Sequence, residues 1–250
     1  MKHRIGILSL GCSALMSVAP AAYAAERWEF TLAPYLLAPL IDGETTLGRA
    51  GGDLSVKPAD ILRNLEGGGM VHLEGRHDSG VGFALDYAFM KLGKGAQSPV
   101  GQIDAGIEQS ILELYGTYRL SEGASRTDIY AGVRHWDIDV DLNVLAGPAA
   151  GRILRGGEWS DPVIGLRWQK PVATDVRFIF QGDIGGFGLG SDFTWSAMGG
   201  LAFDRWENTS AFVMYRALGV DYQSGTQGTE SFFAYDTVTH GLQVGIGFHF

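Results

Sequence analysis

The sequence predicts an all-β protein, an antiparallel up-and-down transmembrane β-barrel of about ten strands, on three observations. Apolar and polar residues alternate with a two-residue period along most of the chain. The polar side of that alternation is crowded with Gly, Ala, Ser, Thr and isolated charges and is poor in Lys. The 250-residue chain ends on an alternating run that closes at Phe250.

Composition narrows the class first. A hydrophobic fraction of 46% can bury a sizeable core, which excludes a wholly disordered chain. Gly 37 is about twice the usual share and argues against helices, whose interiors Gly destabilises. The single cysteine, Cys12, excludes a disulfide scaffold and a cysteine zinc site. A net charge of -9 excludes nucleic acid as a partner.

Lys2, His3 and Arg4 precede an apolar stretch from Ile5 to Val18, and Ala22-Tyr23-Ala24 follows with small residues at both specificity positions of a cleavage site. This pattern predicts a cleaved signal peptide over 1–24 and a single mature domain over 25–250. A lipid-modified Cys12 fits poorly, because Ser9 stands where an aliphatic residue is wanted. Cleavage removes Lys2 and Arg4 and leaves a mature charge of about -11. No later apolar run is long enough for a membrane helix.

The greasy face decides between two opposite β solids. Val81, Phe83, Leu85, Tyr87 and Phe89 share one face of a strand, against Gly82, Ala84, Asp86 and Ala88. The split repeats in Val71/Leu73 against His72/Glu74/Arg76 and in Leu112/Leu114/Tyr118 against Glu113/Thr117/Arg119. It recurs in Ile164/Leu166/Trp168 against Gly165/Arg167/Gln169 and in Val176/Phe178/Phe180 against Arg177/Gln181/Asp183. A soluble barrel would stud its polar face with Lys and Glu; small residues and isolated charges suit a crowded interior instead.

Ten strands follow, at 27–42, 68–78, 80–92, 104–120, 126–143, 157–170, 174–187, 192–204, 208–222 and 232–250, with eight or twelve as alternatives. Short turns alternate with longer connections around 43–67, 93–103, 144–156, 188–191 and 223–231, so both termini fall on the short-turn, periplasmic side. Residues 43–57 read as a hairpin-like extension and 58–65 as a short helix with Pro58 near its start. Trp28, Tyr118, Trp168, Phe203, Phe248 and Phe250 fall near one set of strand ends, and Tyr87, Phe89 and Trp195 near the other, as two interfacial girdles require.

Leu242-x-Val244-x-Ile246-x-Phe248-x-Phe250 resembles the closing strand of Gram-negative outer-membrane β-barrel proteins. Ala33-Pro34-Tyr35-Leu36, Trp159-Ser160-Asp161-Pro162-Val163-Ile164-Gly165, Gly182-Asp183-Ile184-Gly185-Gly186-Phe187-Gly188, Tyr215-Arg216 and Asp221-Tyr222 look like segments of small outer-membrane proteins of the OmpA/OmpW-like barrel class. That resemblance implies a location in the Gram-negative outer membrane and contact with its lipids. It also implies that the barrel assembly machinery reads Phe248 and Phe250; it implies no catalytic residue and no cofactor.

The most informative polar set is the inward-facing charges: Glu74, Asp86, Glu113 and Asp183 with Arg76, Arg134, Arg167, Arg177 and Arg216. Buried charges must pair, so this set predicts either a salt-bridge plug or a polar constriction that passes a small solute. His72, His135 and His240 lack metal-ligand spacing. The glycines from Gly182 to Gly190 lack the Lys-Ser/Thr and helix of a phosphate loop and read as a tight rim loop. Asp42, Glu44, Ser160, Asp161, Asp192, Asp221 and His240 fall near the outer rim, where an enzyme of this fold would need its nucleophile and base. Spacing alone pairs none of them. The expected function is that of a non-enzymatic outer-membrane barrel, structural or porin-like as a narrow passive channel. The alternatives are adhesion through the loops and, more remotely, a barrel-embedded enzyme.

Overall fold

Alternating large apolar and small or polar residues give each strand a lipid face and a bore face, and only a closed sheet lets both be used at once. In the computed structural model, residues 28–56, 59, 63–98, 101–144 and 151–250 are described. The strands are β1 (Trp28–Leu47), β2 (Ala50–Val56), β3 (Leu65–His77), β4 (Val81–Ser98), β5 (Gly101–Ser121) and β6 (Arg126–Val144). They continue as β7 (Gly151–Ala173), β8 (Val176–Gly185), β9 (Phe193–Trp206), β10 (Thr209–Ser224) and β11 (Phe233–His249). From β3 to β11 each strand pairs antiparallel with the next, β3 pairs back with β1, and β1 meets β11 from Thr31↔His249 to Leu47↔Phe233. That pairing closes a ten-strand barrel. β2 is an arm outside the count, hydrogen-bonded to the far end of β1 from Ile41↔Val56 to Leu47↔Ala50.

The expected extension at 43–57 is this hairpin arm. Of the expected helix at 58–65, Ala59, Arg63 and Asn64 are helical, Leu65 already belongs to β3, and the other residues lie outside the described set, as does the expected leader. The loops expected at 93–103 and 144–156 are corrected: β4 and β5 run on to Ser98 and Gly101, and β6 and β7 to Val144 and Gly151. Their Gly and charged residues masked a ladder that continues unbroken from Ile103↔Val144 inward.

About 9–11 tilted residues cross a bilayer. β5, β6 and β7, at 21, 19 and 23 residues, are about twice that long, whereas β8 has 10. The wall is therefore tall on one side and low at the β8–β9 hairpin. The outward face marks the membrane boundary chemically. Leu114, Val133, Ile164, Val213 and Leu242 are exposed, and farther along the same strands the outward positions become Glu108, Asp137, Glu158, Asp221 and Asp236. The apolar belt is the span, and the acidic stretch projects beyond it on the side away from the termini.

Above the low β8–β9 hairpin the tall walls lean together. Leu47, Ile111, Trp136, Ile138, Val140, Trp159, Leu218, Val220, Phe233 and Tyr235 form one buried cluster between β5–β7 and β10, β11 and β1. Trp159 stacks on Tyr222 with centroids 3.7 Å apart and on Trp136 at 5.6 Å. Gly157 makes the approach possible: a Cβ there would lie 3.0 Å from the rings of both Tyr222 and Phe233. At this end the inward positions are apolar and packed against one another, because on the projecting strands they form a core of their own.

Candidate functional site: the charged bore

Below the aromatic layer the inward positions carry charge. Period-two geometry aims Glu74 and Arg76 of β3, Asp86 of β4, Glu113 of β5, Arg134 of β6, Arg167 of β7, Asp183 of β8 and Arg216 of β10 into one small volume. The charges alternate along two strings. In the first, Arg134 Nε donates to Glu113 at 2.6 Å and its Nη2 to Asp183 at 2.9 Å, while Arg216 Nη2 donates to the other Glu113 oxygen at 3.0 Å. Asp86 sits at the end of this string, 3.6 Å from Arg216 Nη1. In the second, Arg167 bridges Glu74 at 2.7 Å and Asp128 at 3.1 Å, and Arg76 Nη2 returns to Glu74 at 3.0 Å. His72 joins the strings, with Nδ1 3.2 Å from Asp86 and Nε2 3.7 Å from Glu74.

Arg134 is 0% exposed, and its guanidinium also meets Thr194 and the Tyr115 hydroxyl. A cation so enclosed is tolerable only because each face meets an acceptor. Phenols complete the carboxylates: Tyr35 donates to Asp86 at 2.6 Å and Tyr130 to Asp183 at 2.9 Å. Gly165 makes room for the second, since a Cβ there would fall 2.5 Å from the Tyr130 ring.

Of the nine charges singled out from sequence, eight join this network. Arg177 does not: it lies toward the short-turn end, held by Gln169 at 2.6 Å and by Asp204 at 3.0 Å. Sequence reasoning missed Asp128, Tyr35, Tyr115, Tyr130 and the bridging role of His72. Counting back by twos from Arg134 reaches Tyr130 and Asp128, so that signal was present.

A cavity of about 500 Å³ opens beneath the network toward the short-turn end. Its lining combines the charged Glu74, Arg76, Arg167 and Arg216 with the apolar Ile179, Met198, Phe212 and Met214. A smaller pocket of about 50 Å³ is lined from β1, β3, β4, β5, β10 and β11 and shares Asp86 and Arg216 with the larger space. Among the described residues no cluster of His, Cys, Asp and Glu is arranged to hold a metal ion.

The rim residues divide. Asp161 is fully buried beneath the Trp layer, not at the rim. Ser160 lies 2.9 Å from His135 Nδ1 on the outward face, and Glu158 lies 3.5 Å from Nε2. His240 is flanked by Tyr215 at 2.5 Å and Asp42 at 3.6 Å. Asp192 accepts from Gln223 at 2.9 Å, while Glu44, Asp221 and Asp236 stand opposite one another on adjacent strands. Gly182 belongs to β8, and the expected glycine loop is the turn at 186–192, with Gly186, Phe187 and Gly188 at positive φ.

No protein-family model matches the chain, and no curated protein matches it. Among solved structures it is similar to the translocator domain of autotransporter NalP from Neisseria meningitidis, at 10% identity and a TM-score of 0.50, over 89% of this chain and 88% of that one. It is also similar to a major outer membrane protein from Thermus thermophilus, at 12% identity and a TM-score of 0.45, over 89% and 99%. Ail, the attachment invasion locus protein of Yersinia pestis, aligns at 10% identity and a TM-score of 0.38, over 90% and 99%. At these identities the first likeness is one of fold, and it is the fold of an outer-membrane barrel.

Proposed function

We propose that the protein is a non-enzymatic integral barrel of the Gram-negative outer membrane whose bore does not conduct along its axis. The carrying observation is the stack of Trp136, Trp159 and Tyr222 between the leaning walls, with the saturated Arg134 beneath it. A porin-like passage would need mobile, water-facing charges at its constriction. Here the central guanidinium is enclosed and its carboxylate partners are shared, which supports the plug over the narrow channel.

Reconstitution into planar bilayers tests this. The wild-type barrel is expected to give no discrete conductance steps, and Arg134→Met with Arg167→Met is expected to give none either, because the aromatic layer above remains. Steady unit conductance from the wild type would overturn the plug.

A second reading, surface binding, rests on the projecting walls, whose outward residues Glu108, Asp137, Asp139 and Glu158 outnumber the adjoining Lys91, 3.4 Å from Glu108, and form an acidic face suited to a cationic partner. Replacing these four with their amides should abolish any binding of cationic peptides to intact cells. Unchanged binding would count against it.

A further inference from the structure

The chamber beneath the charged network carries two features that the network itself does not use. The first is an apolar patch on three adjacent strands. Ile179 of β8, Met198 and Ala202 of β9 and Phe212 and Met214 of β10 pack together, and all five line the space. Glycine shapes the neighbouring surface of β11. Gly247 lines the chamber with no side chain to fill it, and Gly245 lets the Phe212 ring lie against the strand, since a Cβ there would collide with that ring.

The second feature is Gln243 of β11, directly across the ladder from Met214. Its side chain lines the chamber at 5% exposure, and its Oε1 accepts no hydrogen bond. Among the described residues two other buried side-chain atoms lack a partner, Arg119 Nε and Ser191 Oγ, and neither residue lines the chamber. A buried amide oxygen without a donor is unfavourable, and an N–H or O–H brought in from outside relieves it. The broad terminal torsion of a glutamine lets the oxygen turn to meet one.

Charge narrows the ligand further. Glu74, Asp86 and Glu113 in the lining are matched by Arg76, Arg167 and Arg216. Each of these guanidiniums is already held by a carboxylate, Arg76 and Arg167 by Glu74 and Arg216 by Glu113. Arg177, also in the lining, is taken by Asp204. An ionised ligand would leave water without gaining an unclaimed counter-charge, which burial penalises, whereas an uncharged one meets no such penalty.

We infer that the chamber binds an uncharged, compact apolar molecule bearing one hydrogen-bond donor, the hydroxyl of an alcohol or phenol or the N–H of an amide. Its apolar body lies on Met198, Phe212 and Met214, and its donor meets Gln243 Oε1. The volume of about 500 Å³ is that of a small-molecule pocket. Glu29, Asn208, His249 and Phe250 also line it, which puts its opening among the short turns. The inference rests on the plug proposed above in one respect, that the ligand enters and leaves by that opening alone.

The test is methyl NMR of the mature barrel, carbon-13 labelled at the methionine ε-methyls, in phospholipid nanodiscs titrated with β-naphthol. Met198 and Met214 report from the chamber, and Met70 and Met90, which line the smaller pocket instead, serve as internal controls. Saturable shifts are expected at Met198 and Met214, with Met70 and Met90 unmoved. The methyl ether, which keeps the rings and loses the O–H, is expected to bind about fivefold more weakly, the scale of one neutral hydrogen bond. β-Naphthoate and β-naphthylmethylammonium are expected to bind more weakly than naphthol too. Gln243→Leu should bring naphthol down to the affinity of the ether and leave the ether's own affinity unchanged, a result that lost packing would not give. The comparison of naphthol with its ether on the unaltered barrel decides the donor even if that variant does not fold. Equal shifts at all four methyls, equal affinity for naphthol and ether, tighter binding of either ion, or no saturable shift would each overturn the inference. Entry is read separately. Asn208 is exposed at the opening, and a bulky maleimide on Asn208→Cys is expected to abolish the Met198 and Met214 shifts. Shifts that survive the adduct would overturn the single entrance and with it the plug, while the naphthol–ether difference would still stand, so the two readings fail separately.

Discussion

The carboxylate of Asp161 accepts the indole N–H of Trp136 at 3.0 Å, beneath the stacked aromatic layer. The same oxygen accepts from Trp159 Nε1 at 3.2 Å, and the other takes the backbone N–H of Ser191 at 2.6 Å. One side chain therefore fixes both stacked indoles and ties the 186–192 turn across the barrel mouth. Asp161→Ala would leave three buried donors without an acceptor, at about 1–3 kcal/mol each in isolation and less in sum if the turn lifts to admit water. The expected loss is about 3 kcal/mol of unfolding free energy, read from urea titration of the folded-to-unfolded gel shift, with Asp161→Asn, which keeps a carbonyl acceptor, losing less. An unfolding free energy within about 0.5 kcal/mol of wild type, the scale of an inert surface change, would show that the layer is held by packing alone.

Asp161 also shows where the sequence was legible and where it was not. Period-two alternation is a local property, so strand positions, the facing of Leu114 or Ile164 toward lipid and the inward aim of Arg134 could be read directly. Which inward residues meet across the bore depends on barrel closure, and the contact from Arg167 of β7 to Glu74 of β3 spans 93 residues of sequence. The sandwich-like collapse of the tall walls was invisible for the same reason. Trp136, Phe233 and Tyr235 alternate as any strand aromatics do, and only the short β8–β9 hairpin lets β7 reach β11. The end of the β1–β3 ladder at Tyr35↔Met70 left a faint trace in Pro39 and in Gly67 to Gly69, which read equally well as turn residues.

The negative charge has a structural place: the projecting outward faces. Burial, together with Asp236 and Asp192, pushes the Asp221 carboxyl above its usual range, and burial with Asp137 and Glu108 does the same to Asp139. A carboxyl raised in the folded state is repelled when ionised. Its repulsion is absent below the ordinary carboxylate pKa, and stability is lost as pH rises through the raised value. Asp221→Asn and Asp139→Asn should therefore each raise the melting temperature slightly at pH 7 and leave it unchanged near pH 3.5 (roughly, just below the ordinary Asp value). Because both side chains are solvent-exposed, the gain should shrink in high salt. A decrease at neutral pH would mean that these acids have cationic partners instead.

Ser160, His135 and Glu158 have the residue types of an acyl-transfer triad, yet their surroundings argue against turnover. The Glu158 side chain is 73% exposed and 3.5 Å from the ring, so water competes for it and the imidazole is not held in one orientation. Purified barrel in phospholipid vesicles is expected to release fatty acid no faster than Ser160→Ala. Hydrolysis by the wild type that disappears in Ser160→Ala and His135→Ala, with both variants folded by gel shift, would replace the non-enzymatic reading with an esterase.

Phe250 separates assembly from stability. Its backbone closes the barrel seam, accepting from Phe30 N at 2.8 Å and donating to Phe30 O at 3.0 Å, and its ring stacks on Phe30 at 5.9 Å. The side chain nonetheless remains 72% exposed, so its removal costs the folded barrel little. Phe250→Ala should keep both backbone bonds and refold in detergent with an unfolding free energy within about 0.5 kcal/mol of wild type. If the terminal aromatic is what the assembly machinery reads, the same variant should accumulate several-fold less folded protein in the outer membrane of cells, with the unfolded chain found in the periplasm. Equal deficits in detergent and in cells would assign Phe250 to packing and remove it as an assembly signal.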